Sequence, residues 1–125
     1  MSSLKQFEKQ QYLVIESFRK NGQGVKTPVW FAQEGGTLFV WTESTSGKAK
    51  RIRRDGKINI VPSTGSGQPL GEWAQAVAKE RSDAQSLKKV DNLFIRKYGF
   101  QKKMFALLGW LRKAKYTVIE VTLAV

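Results

Sequence analysis

YLVIESFRKNGQGVKTPVWFAQEGGTLFVWTE, residues 12–43, reads as three antiparallel strands in near-continuous succession. The first run, Tyr12 to Lys20, is short and rich in branched and aromatic side chains. It meets the polar turn Asn21-Gly22-Gln23-Gly24, which is how a hairpin is written. The second run alternates: Val25, Thr27, Val29 and Phe31 point one way while Lys26, Pro28, Trp30 and Ala32 point the other. Proline cannot donate to a ladder, so Pro28 implies an edge or a bulge. A turn at Glu34-Gly35-Gly36 leads into TLFVWTE, with Leu38, Val40 and Thr42 on one face and Phe39 and Trp41 on the opposite one.

Working outward, ESTSGKAKRIRRDG predicts a short helix, opened by the Ser/Thr cluster and stopped at Gly56. KINIVPS is a fourth strand, and the Gly, Ser and Pro of STGSGQPLGE mark a flexible loop. WAQAVAKER fits a helix by its three alanines and a strand by the alternation of Trp73, Gln75, Val77 and Lys79; the strand is preferred. From Ser82 to about Lys115 the period is helical, with Ser82 or Asp83 as cap and Leu87, Val90 and Phe94 on the apolar face. The pattern breaks at Gly99, and a second helix carries Met104, Phe105, Leu108 and Leu111. The closing YTVIEVTLAV is the sixth strand. About six mostly antiparallel strands, with helices grouped late in the chain, indicate one α+β domain over residues 1–125, built on a small barrel whose closure removes exposed edges.

At 41% hydrophobic the chain of 125 residues can bury a core, and it contains neither Cys nor His. That absence excludes disulfides, the usual zinc and blue-copper sites, His-ligated haem, and every triad or thiolate mechanism. An enzyme here works by Asp/Glu chemistry or by positioning a cofactor that carries the reaction. No stretch approaches a membrane span and MSSLKQFEKQQ lacks a signal peptide's apolar core, so a cytoplasmic protein is expected.

The 22 Lys and Arg against 10 Asp and Glu leave a formal net charge of +12, and its distribution matters more than its size. Between Lys48 and Lys57 stand six basic residues and one acid, Asp55. On a helix Lys48 lies one turn from Arg51, and Lys50 one turn from Arg54. A solvated helix face is the plain reading. Thr42, Ser44, Thr45, Ser46 and Gly47 argue for more, because they put hydroxyls and free N–H groups at a helix start, where an anion is stabilised. The Walker A spacing is absent. A second basic region, Arg96 to Lys115, interleaves seven cations with Tyr98, Phe100, Phe105 and Trp110. It suits nucleic acid or an anionic membrane, but Phe105, Leu108 and Leu111 have the spacing of core packing.

Taken together, FRKNGQGVKTPVWF, LFVWTESTSGKAKRIRRDGKINIVPS, IRKYGF and the closing TVIEVTL resemble one branch of the pyridoxamine 5'-phosphate oxidase-like flavoproteins. The branch is the small actinobacterial-type group dependent on the deazaflavin coenzyme F-420, and the likeness runs from about Tyr12 to Thr122. It implies a split β-barrel, usually a homodimer with two cofactor sites at the subunit interface. It further implies that Ser46, Gly47, Lys48, Lys50 and Arg51 hold the cofactor's phosphate, and that the ring system lies along Thr27, Pro28, Val29 and Trp30. Thr42 and the Pro62-Ser63 turn would sit near the same pocket. Trp30 reads equally as a core residue.

The implied activity is hydride transfer between reduced coenzyme F-420 and a small electrophilic organic substrate. The protein would supply orientation, a dry pocket and electrostatics. Similar proteins bind FMN instead, which is the alternative cofactor in the same fold. The motif set of the true pyridoxamine phosphate oxidases is incomplete here, so that reaction does not carry over. A third reading, a basic nucleic-acid-binding module, has charge and aromatics in its favour and no recognised signature. No metal site is expected.

Overall fold

The computed structural model describes residues 4–99 and 115–124. Strands β1 (Tyr12–Phe18), β2 (Gly24–Glu34), β3 (Thr37–Glu43), β4 (Lys57–Ser63), β5 (Ala74–Arg81) and β6 (Tyr116–Leu123) close into an antiparallel barrel in the order β1-β2-β3-β6-β5-β4. Helix α1 (Gly47–Arg54) follows β3, and helix α2 (Ala84–Tyr98) follows β5. A 3-10 turn, Leu4–Phe7, precedes the barrel. The ambiguous alanine segment is thus strand β5: it alternates buried Ala74, Ala76 and Ala78 with exposed Gln75, Val77 and Lys79, the period of a half-buried strand. The second helix expected on Met104, Phe105, Leu108 and Leu111 lies outside the described residues.

Period-2 alternation fills the barrel. Leu13 and Ile15, Phe31, Leu38 and Val40, Ile58 and Ile60, Ala74, Ala76 and Ala78, and Ile119 and Val121 all point inward, and Phe7 joins them from the N-terminal turn. The three alanines of β5 leave room for the larger side chains opposite. A second apolar layer forms outside, where Val90, Phe94 and Tyr98 of α2 pack on Ala32, Phe39 and Val118. Asp83 caps α2 by accepting from the Ser86 N–H at 3.0 Å, and Gly99 ends it at φ +59°, a conformation glycine adopts without strain.

The barrel is split because β2 changes partners at Phe31. From Gly24 to Trp30 it pairs with β1, and from Phe31 to Glu34 it pairs with β3. One step past the Tyr12–Trp30 pair the ladder would next join Gln11 to Phe31, and the Tyr98 hydroxyl stands in that rung. It accepts from the Phe31 N–H at 3.1 Å and donates to the Gln11 carbonyl at 2.6 Å, while Lys97 Nζ donates to the Phe31 carbonyl at 2.8 Å. Since the Phe31 N–H faces β1, alternation turns the Pro28 nitrogen to the opposite side, which β3 has left. The proline therefore sits on an edge and no donor is wasted.

Two predictions come from this junction. Tyr98→Phe keeps the ring and its packing but strands a buried N–H and a carbonyl, so it should destabilise the fold by about 2 kcal/mol, read as a lower urea midpoint at unchanged m. Burial lowers Lys97 from the ordinary lysine value to about 8. The folded chain then binds fewer protons than the unfolded one between that pH and the unfolded lysine pKa of about 10.4, so stability rises across that interval. Measured against Lys97→Met, the wild type should gain stability from pH 8 to pH 10 and hold a constant offset below pH 7.

Candidate anion and cofactor site

Helix α1 closes one end of the barrel. Its only apolar residues, Ala49 and Ile52, are three apart, and both are buried, with Ile52 joining the barrel core. Three of its arginines hold it there. Arg53 grips Glu80 of β5 with a fork, Nε to Oε1 at 2.7 Å and Nη2 to Oε2 at 2.6 Å. Arg54 donates to the Phe18 carbonyl and Arg51 Nε donates to Ser17 Oγ at 2.7 Å, both at the end of β1. The Arg53 contact holds the Glu80 carboxyl below the usual carboxylate range. Much of the basic run therefore docks the helix, a role that the sequence reading did not separate from ligand binding.

What remains gathers at the first turn. Ser46 is the N-cap: its Oγ accepts from the Ala49 N–H at 3.1 Å, which leaves its own proton to donate, and Thr42 Oγ1 lies 3.5 Å away. The N–H groups of Gly47 and Lys48 have no acceptor within the helix. Arg51 Nη1 lies 2.8 Å from where a Gly47 Cβ would stand, so the guanidinium lies directly over a residue that has none. Lys48 is half-buried; burial lowers its pKa, the Arg51 charge lowers it further, and Glu43 opposes both. Arg51 is lowered likewise by burial and then by Arg19 and Arg54. Two partly desolvated cations, two N–H groups without an acceptor inside the helix and the Ser46 hydroxyl thus belong to one helix turn. That donor set is complementary to a phosphate group.

The split opens beside it. Beyond the Phe31–Val40 pair β3 leaves β2, so the inward-facing Val25, Thr27 and Val29 are only half-buried, while Ile15, paired with Thr27 on the other side, is fully buried. At this end the inner face also changes chemistry: Ser17, Thr42 and Thr117 are buried hydroxyls on β1, β3 and β6, and Thr42 pairs directly with Thr117. The mouth is polar at the α1 end and apolar below.

The twelve residues expected at the site fall into groups. Thr42, Ser46, Gly47, Lys48 and Arg51 come together at the α1 start, and Thr27 and Val29 line the adjoining gap. Lys50 is exposed on the helix. Pro28 and Trp30 face outward, on the other side of β2 from Thr27 and Val29, so the four strand residues do not share a surface. One face of Trp30 stacks on Tyr98, with centroids 4.3 Å apart and planes within 7°. Packing therefore claims that face of the indole. Pro62 and Ser63 form the end of β4 rather than a turn. They pair with Leu13 and Tyr12, five residues along β1 from Ser17 and Phe18, roughly 16 Å from the α1 contacts. Ser17, which the sequence reading did not single out, meets Arg51 of this group directly. Its only signal is a hydroxyl where the inner alternation of Leu13 and Ile15 calls for an apolar residue.

Among the described residues no group of His, Cys, Asp and Glu could hold a metal, and no helix is long and apolar enough to cross a membrane. The sequence matches no protein-family model and no curated protein. Solved structures do match. The heme storage protein of Vibrio cholerae is 12% identical, with 99% of this chain and 92% of that one aligned at a TM-score of 0.72. A protein related to general stress protein 26, of the pyridoxinephosphate oxidase family, from Clostridium acetobutylicum is 13% identical over 95% and 79% at 0.69. An F-420 reductase is 15% identical over 100% and 95% at 0.62. Identities this low carry the fold, and the chain has the split-barrel fold of the pyridoxamine 5'-phosphate oxidase-like proteins.

Proposed function

We propose that the protein is an oxidoreductase that binds the deazaflavin coenzyme F-420 and transfers hydride between it and a small electrophilic organic substrate. The observation that carries this reading is the grouping of Lys48 and Arg51 at the capped start of α1, beside the stretch of the barrel where, among the described residues, β2 and β3 no longer pair. The F-420 reductase among the structural neighbours supports it. The residues fit such a cofactor on their own chemistry. Lys48, Arg51, the Ser46 hydroxyl and the Gly47 and Lys48 amides would bind its phosphate, and the gap along Thr27 and Val29 would take its ring system.

The cofactor, when bound, supplies the hydride chemistry, which suits a chain without His or Cys. The protein's share is orientation and exclusion of water. The phosphate is the handle: fixing it at the helix start fixes the distance that the rest of the ligand reaches into the gap. The Val29 side chain and the apolar inner face below Thr27 keep that inner end dry, and a dry surround strengthens each polar contact made there. FMN in the same pocket is the second reading, favoured by the pyridoxinephosphate oxidase-family neighbour. We further propose a homodimer with cofactor sites at the interface. It is supported by the exposure of Leu70 and Trp73 at 54% and 39%, in the loop before β5 and just ahead of that strand.

Titration with coenzyme F-420 and with FMN, followed by ligand fluorescence, should give saturable binding of at least one. Lys48→Ala and Arg51→Ala should each weaken that binding about tenfold or more while the far-UV spectrum stays native. A single-stranded oligonucleotide bound alone, and lost as salt rises, would point instead to a nucleic-acid module. Light scattering should give twice the 14.2 kDa chain mass; a monomer that still binds cofactor would remove the interface site.

A further inference from the structure

We propose that Ser17 is the positioning residue of the anion site, its hydroxyl holding the Arg51 guanidinium over the first turn of α1. This rests on the reading of the α1 start as a phosphate site. Ser17 faces into the barrel at 1% exposure, in line with Leu13 and Ile15 and paired with Val25 across β2. A hydroxyl buried there without a partner is unfavourable, and its partner is Arg51 Nε at 2.7 Å. With Nε committed, the guanidinium is free to present only its two terminal nitrogens, and Nη1 is the one over Gly47.

The bond matters because the neighbouring cations push Arg51 away. Lys48, Arg19 and Arg54 carry the same charge, and burial disfavours the guanidinium further. Without ligand, an unrestrained arginine would swing out toward water, and each binding event would have to bring it back. Ser17 holds it in place beforehand, so the cost of gathering like charges is met during folding and not on binding. Lysine at position 51 would keep the charge and lose the Nε–H, so it could not be held in this way.

The affinities to measure are those for inorganic phosphate, coenzyme F-420 and FMN, on the wild type, Ser17→Ala, Ser17→Thr, Arg51→Lys and the double variant Ser17→Ala/Arg51→Lys. Ser17→Ala should weaken phosphate binding about tenfold, Ser17→Thr should restore it, and Ser17→Ala should change nothing further in the Arg51→Lys background. Should Ser17→Ala not fold, Ser17→Cys keeps the volume and loses the strong acceptor, and it should behave the same way. A Ser17→Ala protein that binds like the wild type, or one that loses equally in both backgrounds, overturns the positioning role. Phosphate affinity that falls with Ser17→Ala although neither cofactor binds the wild type keeps Ser17 and discards the cofactor reading. Cofactor bound equally by the wild type and Ser17→Ala does the reverse.

Discussion

The whole arrangement depends on one peptide group, that of Phe31. Its residue is fully buried, so its N–H and carbonyl must be paired within the protein. Had β1 continued one residue earlier, Gln11 would have paired with it and β2 would have stayed beside β1 for longer. Instead the Tyr98 hydroxyl fills the missing rung and Lys97 serves the carbonyl. A hydroxyl has a single proton, and the Gln11 and Phe31 carbonyls both lie within its reach, at 2.6 and 2.8 Å, so the Lys97 ammonium gives the Phe31 carbonyl a donor of its own. With the rung replaced, β2 is free to turn toward β3 below Phe31 and away from it above. The gap beside the candidate site is thus the other half of a hydrogen bond made to this strand by helix α2.

That gap would be a liability without α1. An open barrel end exposes the inner face of β2, and α1 is a poor plug by composition, since only two of its eight residues are apolar. It stays because Arg51, Arg53 and Arg54 each find an acceptor on β1 or β5. Exposed ion pairs are worth little, but Arg53 and Glu80 meet through two parallel hydrogen bonds, the geometry that holds best. The same helix therefore supplies closure with its C-terminal arginines and an electropositive surface with its N-terminal turn. Charge repulsion among Lys48, Arg51, Arg19 and Arg54 is the consequence; Glu43 offsets part of it at Lys48, and a bound anion would relieve more.

Six strands, the antiparallel succession of the first three, a short helix opened by the Ser/Thr cluster and an edge or bulge at Pro28 were all legible, because each follows from period-2 alternation, turn chemistry or a missing donor. Even the alanine segment was readable once its alternation was weighed against its composition. The junction was not. Tyr98 and Phe31 are 67 residues apart, and Tyr98 and Gln11 are 87 apart. Nothing local distinguishes a tyrosine that bridges two strands from one that simply packs. Arg51 was legible as a cation at a helix start, but its partner Ser17 is 34 residues away. The motif could mark Pro62 and Ser63 but not their place along the barrel, which depends on which residue of β1 they pair with.

The barrel's interior is graded along its axis, and the gradient decides which part of a ligand goes where. Leu13, Phe31, Leu38 and Phe7 make one end wholly apolar, while Ser17, Thr42 and Thr117 make the α1 end polar on the same inner face. An ionised group cannot be placed at the apolar end without losing its hydration, whereas at the α1 end it meets two cations and free amides. A flat, uncharged ring has the opposite preference. A molecule with a phosphate at one end and a ring at the other can enter the split in only one direction. On the function proposed above, the orientation that hydride transfer needs would be set by burial and charge, before any side chain had to act on the substrate.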